Sequence, residues 1–305
     1  MLQVEKLSVS VSGVRVVEEV SFEIRRGEMY GLCGESGCGK TTAALAILRL
    51  LRPPSMIDYG RVLFEGRDVL RFSDDELREF RWREVSLVTQ GAMNALNPVM
   101  RVGDQMADVL RARARLSSFQ ARLRTAELPE RVGMGAVHAT SYPHQLSGGM
   151  RQRVVIAMAL ALDPKLVIMD EPTTALDVLV QREILDQIVR LQHELGLSIL
   201  FVSHDLALLL EYATRLGVLY AGRLVETAPA PVLLDDARHP YTQGLVRSAA
   251  HIDAIPGTPP DPRQPPPGCR FHPRCPRALE RCRCEAPQLT AISLDRATAC
   301  HLGST

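Results

Sequence analysis

Met29-Tyr-Gly-Leu-Cys33-Gly34-Glu35-Ser36-Gly37-Cys38-Gly39-Lys40-Thr41-Thr42 decides how this chain is read. Met29 to Cys33 is apolar enough for a short buried strand, and Thr41 to about Leu51 reads as a helix stopped by Pro53-Pro54. Between them stands Gly-x4-Gly-Lys-Thr, in the strand-to-helix setting that gives this spacing its meaning. Glycines at 34, 37 and 39 let backbone N–H groups turn inward, and the following helix adds the positive end of its dipole. Such a loop cradles phosphate, with Glu35, Ser36 and Cys38 completing its rim. Lys40 is placed to bridge β and γ oxygens, Thr41 to ligate Mg²⁺ and Thr42 to reach an α-phosphate. Lysine occurs only at Lys6, Lys40 and Lys165 in an arginine-rich chain, which makes Lys40 informative. A compact ammonium fits between phosphates where a planar guanidinium does not.

Downstream, Leu166-Val-Ile-Met-Asp170-Glu171 puts two carboxylates at the C-terminal end of an apolar strand, where parallel sheets bind ligands. Alone, this pair could cap a helix. Behind Lys40, Asp170 reads as a Mg²⁺ holder through water, and Glu171 as the group that polarises an attacking water. Residues 146–153 read Leu-Ser-Gly-Gly-Met-Arg-Gln-Arg. Ser147 with the N–H groups of Gly148 and Gly149 opens a helix, and glycine lets an anion approach the backbone closely.

The order of these motifs resembles the nucleotide-binding subunit of an ATP-binding-cassette (ABC) transporter. The resemblance implies an α/β P-loop NTPase cassette: a mostly parallel sheet core, an antiparallel β subdomain and an inserted helical subdomain. It implies ATP and Mg²⁺ as ligands and transport-coupled ATP hydrolysis. Gln90, after the strand Val85 to Thr89, matches the glutamine that touches Mg²⁺ and water, so Thr41, Gln90 and Asp170 surround the metal. His204, after Ile199-Leu-Phe-Val-Ser203, matches the histidine that contacts the γ-phosphate and Glu171. Ala175-Leu-Asp177 matches the loop along the cassette dimer interface. Ser147, Gly148 and Gly149 then complete the ATP site of a second cassette, with a paralogue favoured over a twin. One departure stands out: the family stacks adenine on an aromatic residue near Val11 or Ser12, and neither is aromatic. Base–aromatic stacking worth roughly 1–3 kcal/mol is forgone there.

Beyond the cassette, Arg238-His-Pro-Tyr-Thr-Gln-Gly244 and the cysteines that follow resemble the oligopeptide and dipeptide (or nickel) permease branch. The resemblance implies Cys269, Cys275, Cys282 and Cys300 as ligands of a [4Fe–4S] cluster, with Cys284 able to replace Cys282. Spacing alone leaves zinc or reduced thiols open, because no Cys-x2-Cys knuckle is present. The expected domains are 1–235 for the ATPase (helical subdomain about 91–154), 236–268 for the His-Pro-Tyr-Thr element with a proline-rich linker, and 269–305 for the cysteine tail. The linker is expected to isolate that tail.

A formal net charge of +1 gives no electrostatic case for nucleic acid or an anionic membrane. No apolar run approaches the roughly 20 residues of a membrane span, and the N-terminus lacks a signal-peptide pattern. The expectation is a peripheral subunit at the cytoplasmic face, reaching the membrane through two permease subunits fed by an extracytoplasmic binding protein. A soluble or non-hydrolysing ABC ATPase is the alternative. Arg111, Arg113, Arg115, Arg122 and Arg124 in the helical insert are expected to form a solvated face, or else a docking surface for a membrane subunit.

Overall fold

The computed structural model describes residues 1–114, 116–174 and 176–303, so Arg115 and Ala175, named above, lie outside the described residues. The chain forms two compact units, Met1–Arg71 with Phe201–Thr305, and Phe72–Leu200.

Unit one opens with β1 (Leu2–Val11) and β2 (Val14–Ile24), antiparallel in a register from Leu2↔Ile24 to Val11↔Val14. Their turn is Ser12-Gly13, with φ of 51° and 78°. Two left-handed residues suit the twist of a two-residue hairpin, and Arg26-Gly27 leads into the next strand. That strand, β3 (Met29–Cys33), is buried at every position, and α1 (Lys40–Ile47) follows the loop. β4 (Ser55–Phe64) and β5 (Arg67–Asp68) complete a sheet of order β2-β1-β4-β5. Leu2, Val9, Val17, Val20, Ile24, Val62 and Phe64 are fully buried in unit one, each contributing about 1.5–3 kcal/mol of transfer free energy.

Unit two starts with α2 (Asp74–Arg83) on a capping box. The Glu76 N–H donates to Ser73 Oγ at 3.3 Å, and the Ser73 N–H donates to the Glu76 carboxylate at 2.8 Å. β6 (Val85–Val88) then gives way to the helical insert: α3 (Val102–Ala114), α4 (Ser118–Arg131) and α5 (Gly148–Ala159). In the insert Arg111 pairs with Asp108, and Arg124 with Glu127 and Asp163. Exposed pairs of this kind stabilise little, so these arginines chiefly solvate the insert. β7 (Leu166–Asp170) pairs in parallel with β6. α6 (Val178–Leu195) begins at the Asp177 cap and ends at Gly196, whose φ of 64° is a left-handed stop. β8 (Ser198–Ser203) carries the chain back into unit one.

The second half of unit one holds α7 (Leu206–Tyr212), β9 (Arg215–Tyr220), β10 (Arg223–Pro229), α8 (Ala230–Asp236), α9 (Pro240–Ala249), β11 (Thr290–Ser293) and β12 (Arg296–Thr298). Its strands run in the order β11-β12-β10-β9-β3. β3 and β9 are parallel, as the expected sheet core requires, and the pairs from β9 outward through β10, β12 and β11 are antiparallel. The tail is not isolated by its proline-rich linker: β12 pairs with β10 through Glu226↔Thr298 and Thr227↔Ala297. The physical reason is plain. A short segment has little core of its own, and an open strand edge offers it backbone partners.

The His-Pro-Tyr-Thr element starts α9 within the same unit. Glu226, fully buried, accepts the Arg238 and His239 N–H groups at 2.8 and 2.9 Å. His239 Nδ1 accepts the Tyr241 N–H at 3.1 Å and so caps the helix, while Pro240 takes the first-turn position that needs no donor. Burial of His239 drives its pKa down from 6.5 to about 3, because no water solvates a charged ring there. In the unfolded chain the ring takes a proton near pH 6.5. Its contribution to stability is therefore full above that pH and is lost as the pH falls towards 3, by up to about 1.4 kcal/mol per pH unit. The expected NMR result is a His239 ring resonance that stays unchanged between pH 8 and 5 (reference range of histidine titration, about 6.5); a titration midpoint in that window would refute the buried neutral ring.

Candidate functional site

In unit one the loop from Gly34 to Gly39 is packed without room for side chains at two points. A Cβ at Gly34 would lie 2.1 Å from the Leu219 carbonyl oxygen, and one at Gly39 would lie 2.6 Å from that of Val16. Gly39 also has φ +105° and caps α1 with no side-chain hydrogen bond. The first N–H groups of α1 thus have no side-chain cap, an arrangement that receives an anion. Lys40 is 5% exposed, and its Nζ donates to the Gly34 carbonyl at 2.6 Å and the Glu35 carbonyl at 3.1 Å. The ammonium is therefore held over the loop. Thr41 is exposed and Thr42 half-buried at the start of α1. Burial pushes the Cys33 thiol up to about 12 and raises that of Cys38, so both cysteines stay protonated near neutral pH and serve packing. His204, exposed, stands just beyond β8, where Asp205 caps α7 through the Leu208 N–H at 3.1 Å.

Unit two brings the carboxylates and the glutamine together. Asp170 is 3% exposed at the end of β7. The next residue, Glu171, has φ +47°, a left-handed conformation that costs a non-glycine residue about 1–3 kcal/mol. Its Oε2 accepts from Gln90 Nε2 at 3.0 Å and from Thr174 Oγ1 at 3.2 Å. The strained turn and the two donors fix one carboxylate oxygen, which is how a water-polarising group is held in place.

Ser147 caps α5 by accepting the Met150 N–H at 3.2 Å. Gly149 is buried, and a Cβ there would be 2.5 Å from Val180 Cγ1, so the starts of α5 and α6 lie side by side. Asp177 caps α6 through the Val180 N–H at 3.0 Å. Its side chain is thus engaged in building that helix start. The rest of the octapeptide secures the insert: Arg153 Nη1 donates to the Val132 carbonyl at 2.9 Å and to Gln187 Oε1 at 3.2 Å. That role of Arg153 has no sign in its local sequence.

The tail behaves differently from the expectation of a metal centre. Cys269, Cys275, Cys282 and Cys300 do share a neighbourhood. Burial chiefly, with help from the other three thiols, pushes Cys269 up to about 11, and burial also raises Cys275 and Cys300. Cys284 is exposed, its Sγ facing the Arg281 carbonyl at 3.6 Å. Yet among the described residues no group of three or more His, Cys, Asp or Glu side chains is placed to hold a metal ion. The tyrosine of the His-Pro-Tyr-Thr element also reaches the phosphate loop: the Glu35 N–H donates to the Tyr241 hydroxyl at 3.0 Å.

A glycine loop between a buried strand and an uncapped helix, with a lysine held above it, defines a P-loop nucleotide-binding protein. Comparison with known proteins narrows the class. The ABC transporter family model matches residues 17–174, and that of the oligopeptide/dipeptide transporter C-terminal region matches 225–282. A third match, 138–211, overlaps the first and is described as AAA domain, putative AbiEii toxin, Type IV TA system. The chain is 42% identical over 301 residues to the probable peptide ABC transporter ATP-binding protein y4tS of Sinorhizobium fredii (strain NBRC 101917 / NGR234), covering 96% of this chain and 84% of that protein. It is 39% identical to the dipeptide transport ATP-binding protein DppD of Escherichia coli (strain K12), covering 99% of this chain and 96% of that protein. A solved dimeric post-hydrolysis state of the ATP-binding cassette MJ0796, bound to ADP and Pi, aligns with a TM-score of 0.66 at 27% identity, over 75% of this chain and 99% of that one. The chain belongs to the ABC transporter family, and it is an ABC-type ATPase. No helix among the described residues is long and apolar enough to cross a membrane.

Proposed function

We propose that this chain is the ATP-hydrolysing subunit of an importer that takes up di- or oligopeptides, or a nickel chelate, through separate permease subunits. The observation that carries this reading is the match of 225–282 to the peptide-transporter C-terminal region, on a chain related over its length to proteins named for peptide and dipeptide transport. The chain works at the cytoplasmic face of the membrane, held there by two permease subunits that receive substrate from an extracytoplasmic binding protein.

The loop from Gly34 to Thr42 binds the phosphates of ATP, with Lys40 on the β and γ oxygens. Thr41, Gln90 and Asp170 would hold Mg²⁺, which would supply positive charge to neutralise the phosphates. Glu171 polarises the attacking water, supported by its fixed carboxylate oxygen, and His204 contacts the γ-phosphate. Ser147, Gly148 and Gly149 of one cassette complete the ATP site of the facing one, with Asp177 along the interface. Closure around ATP is a shift of population towards the closed dimer, driven by tighter nucleotide binding in that state. A paralogue faces this chain, as its non-aromatic Val11 and Ser12 favour two unequal half-sites.

For the tail, the reading keeps Cys269, Cys275, Cys282 and Cys300 as one thiol set, with a [4Fe–4S] cluster as the expected occupant and zinc as the competing one. Support comes from their shared neighbourhood; against it stands the lack of a metal-holding group among the described residues.

Three outcomes are expected. Glu171→Gln keeps MgATP binding, accumulates a closed dimer with ATP on size-exclusion chromatography and slows turnover by about 10²–10⁴, the usual worth of a general base; normal turnover removes Glu171 from that role. Ser147→Arg abolishes hydrolysis in the assembled transporter while the isolated chain still binds ATP. Loss of binding in the isolated chain would instead place Ser147 in its own site. Anaerobically purified protein carries iron and the broad visible absorption of an iron–sulfur cluster; colourless protein with zinc, or with no metal, sinks the cluster.

A further inference from the structure

Glu35 is the second residue of the phosphate loop, a carboxylate where the chain must receive an anion. It is held twice by segments far down the chain. On the backbone side its N–H donates to the Tyr241 hydroxyl, and on the side-chain side it meets Arg274. Arg274 Nη1 donates to Glu35 Oε2 at 2.8 Å and Nη2 donates to Glu35 Oε1 at 3.0 Å. This is the two-pronged match of a planar guanidinium to a carboxylate, which an ammonium cannot reproduce.

The pair differs from an ordinary surface contact. The Arg274 side chain is 6% exposed and that of Glu35 is 26% exposed, so bulk water screens it little. The remaining donors of Arg274 are spoken for as well. Nε donates to the Pro256 carbonyl at 2.8 Å, and Nη1 also reaches the Tyr220 hydroxyl at 3.3 Å. Its guanidinium carbon stands 5.7 Å from the Tyr220 ring centroid and 5.9 Å from that of Phe271. These bonds and ring contacts, with Nη2 also reaching the Ile255 carbonyl, fix the buried arginine in a single pose.

We infer that Arg274 is a positioning residue for nucleotide binding: it anchors and neutralises Glu35, so that the loop meets a triphosphate without an uncompensated carboxylate in its rim. Arg274 touches no reacting atom and acts through Glu35. The inference rests on the phosphate loop holding ATP, and it adds that the tail sets how well the loop does so.

The test uses the full chain and equilibrium binding of MgATP, with ATPase kinetics and thermal unfolding on the same samples. Arg274→Gln is expected to weaken MgATP binding by about tenfold, the scale of one partly buried unpaired charge near the ligand, and to raise KM while leaving kcat in place. Adding Glu35→Gln to Arg274→Gln is expected to recover most of the lost affinity, since no charge then remains to be neutralised. A merely structural arginine gives the opposite sign, with the double variant as weak as the single or weaker. Wild-type affinity in Arg274→Gln, or no recovery in the double variant, overturns the inference. If Arg274→Gln does not fold, Arg274→Lys replaces it: losing the fork, it binds MgATP more weakly than wild type, and Glu35→Gln restores part of the loss; no restoration overturns the inference equally. Failure of the wild-type chain itself to bind MgATP would strike the ATPase reading and this inference with it, whereas wild-type binding without the Arg274 effect strikes the inference alone.

Discussion

The close packing of the phosphate loop against the end of β9 governs the rest of unit one. The loop's backbone passes so near the Leu219 and Val16 carbonyls that only glycine fits at 34 and 39. The same region is stitched by backbone bonds. The Gly222 N–H donates to the Cys38 carbonyl at 2.9 Å, and the Glu18 N–H donates to the Gly222 carbonyl at 2.8 Å. The turn between β9 and β10 is therefore threaded between the loop and β2. Two of the loop's N–H groups are engaged as well, that of Glu35 with the Tyr241 hydroxyl and that of Cys38 with the Glu35 carbonyl, so an incoming anion meets the rest. The shape of the site is as much a property of β2 and β9 as of the motif.

This explains which parts of the molecule are legible in the sequence. The glycine loop, the Ser73 capping box, the Ser147 cap and the helix from Asp177 to Gly196 are local devices, each complete within a few residues, and each stands where the sequence places it. Gln90 and Glu171 are far apart in sequence, yet each is fixed at the end of a readable strand, and parallel pairing of β6 with β7 brings those ends together. What escapes a local reading depends on long-range partners. β9 and β10 carry no period-2 alternation that separates them from a buried run, and β12 exists as a strand only because β10 offers it an edge. The Ser12-Gly13 hairpin did leave a signal: two left-handed-tolerant residues between alternating runs. Tyr241 and Arg274 left none, because nothing beside them in sequence points towards Glu35.

The tail gains its place through arginines that flank its cysteines. Arg270, next to Cys269, bonds the Ala221 carbonyl and the Glu18 carboxylate, which Arg223 also holds at 2.9 Å. Three charges meet there with little exposure. Those arginines, with burial opposing, leave the Glu18 carboxyl below its usual range. Arg274, next to Cys275, holds Glu35. Within the tail the Cys269 N–H donates to the Cys282 carbonyl at 2.9 Å, which ties the first thiol to the third. The segment that carries two of the four thiols thus holds the phosphate loop at Glu35 and, through Arg270, β2 and the β9–β10 turn beside it.

A contact of this kind transmits in both directions. The tail buries little apolar surface of its own, so the free energy that keeps it in place comes largely from its bonds to β2, β10 and the loop. If Arg274 favours the loop conformation that binds nucleotide, linkage requires nucleotide to favour the docked tail by the same factor. The same equality applies to anything that binds the four thiols and steadies 269–275. Occupancy of the thiol set and occupancy of the phosphate loop then both favour one docked state, in which Arg274 holds Glu35 while β12 and Arg270 hold the tail to β10 and β2.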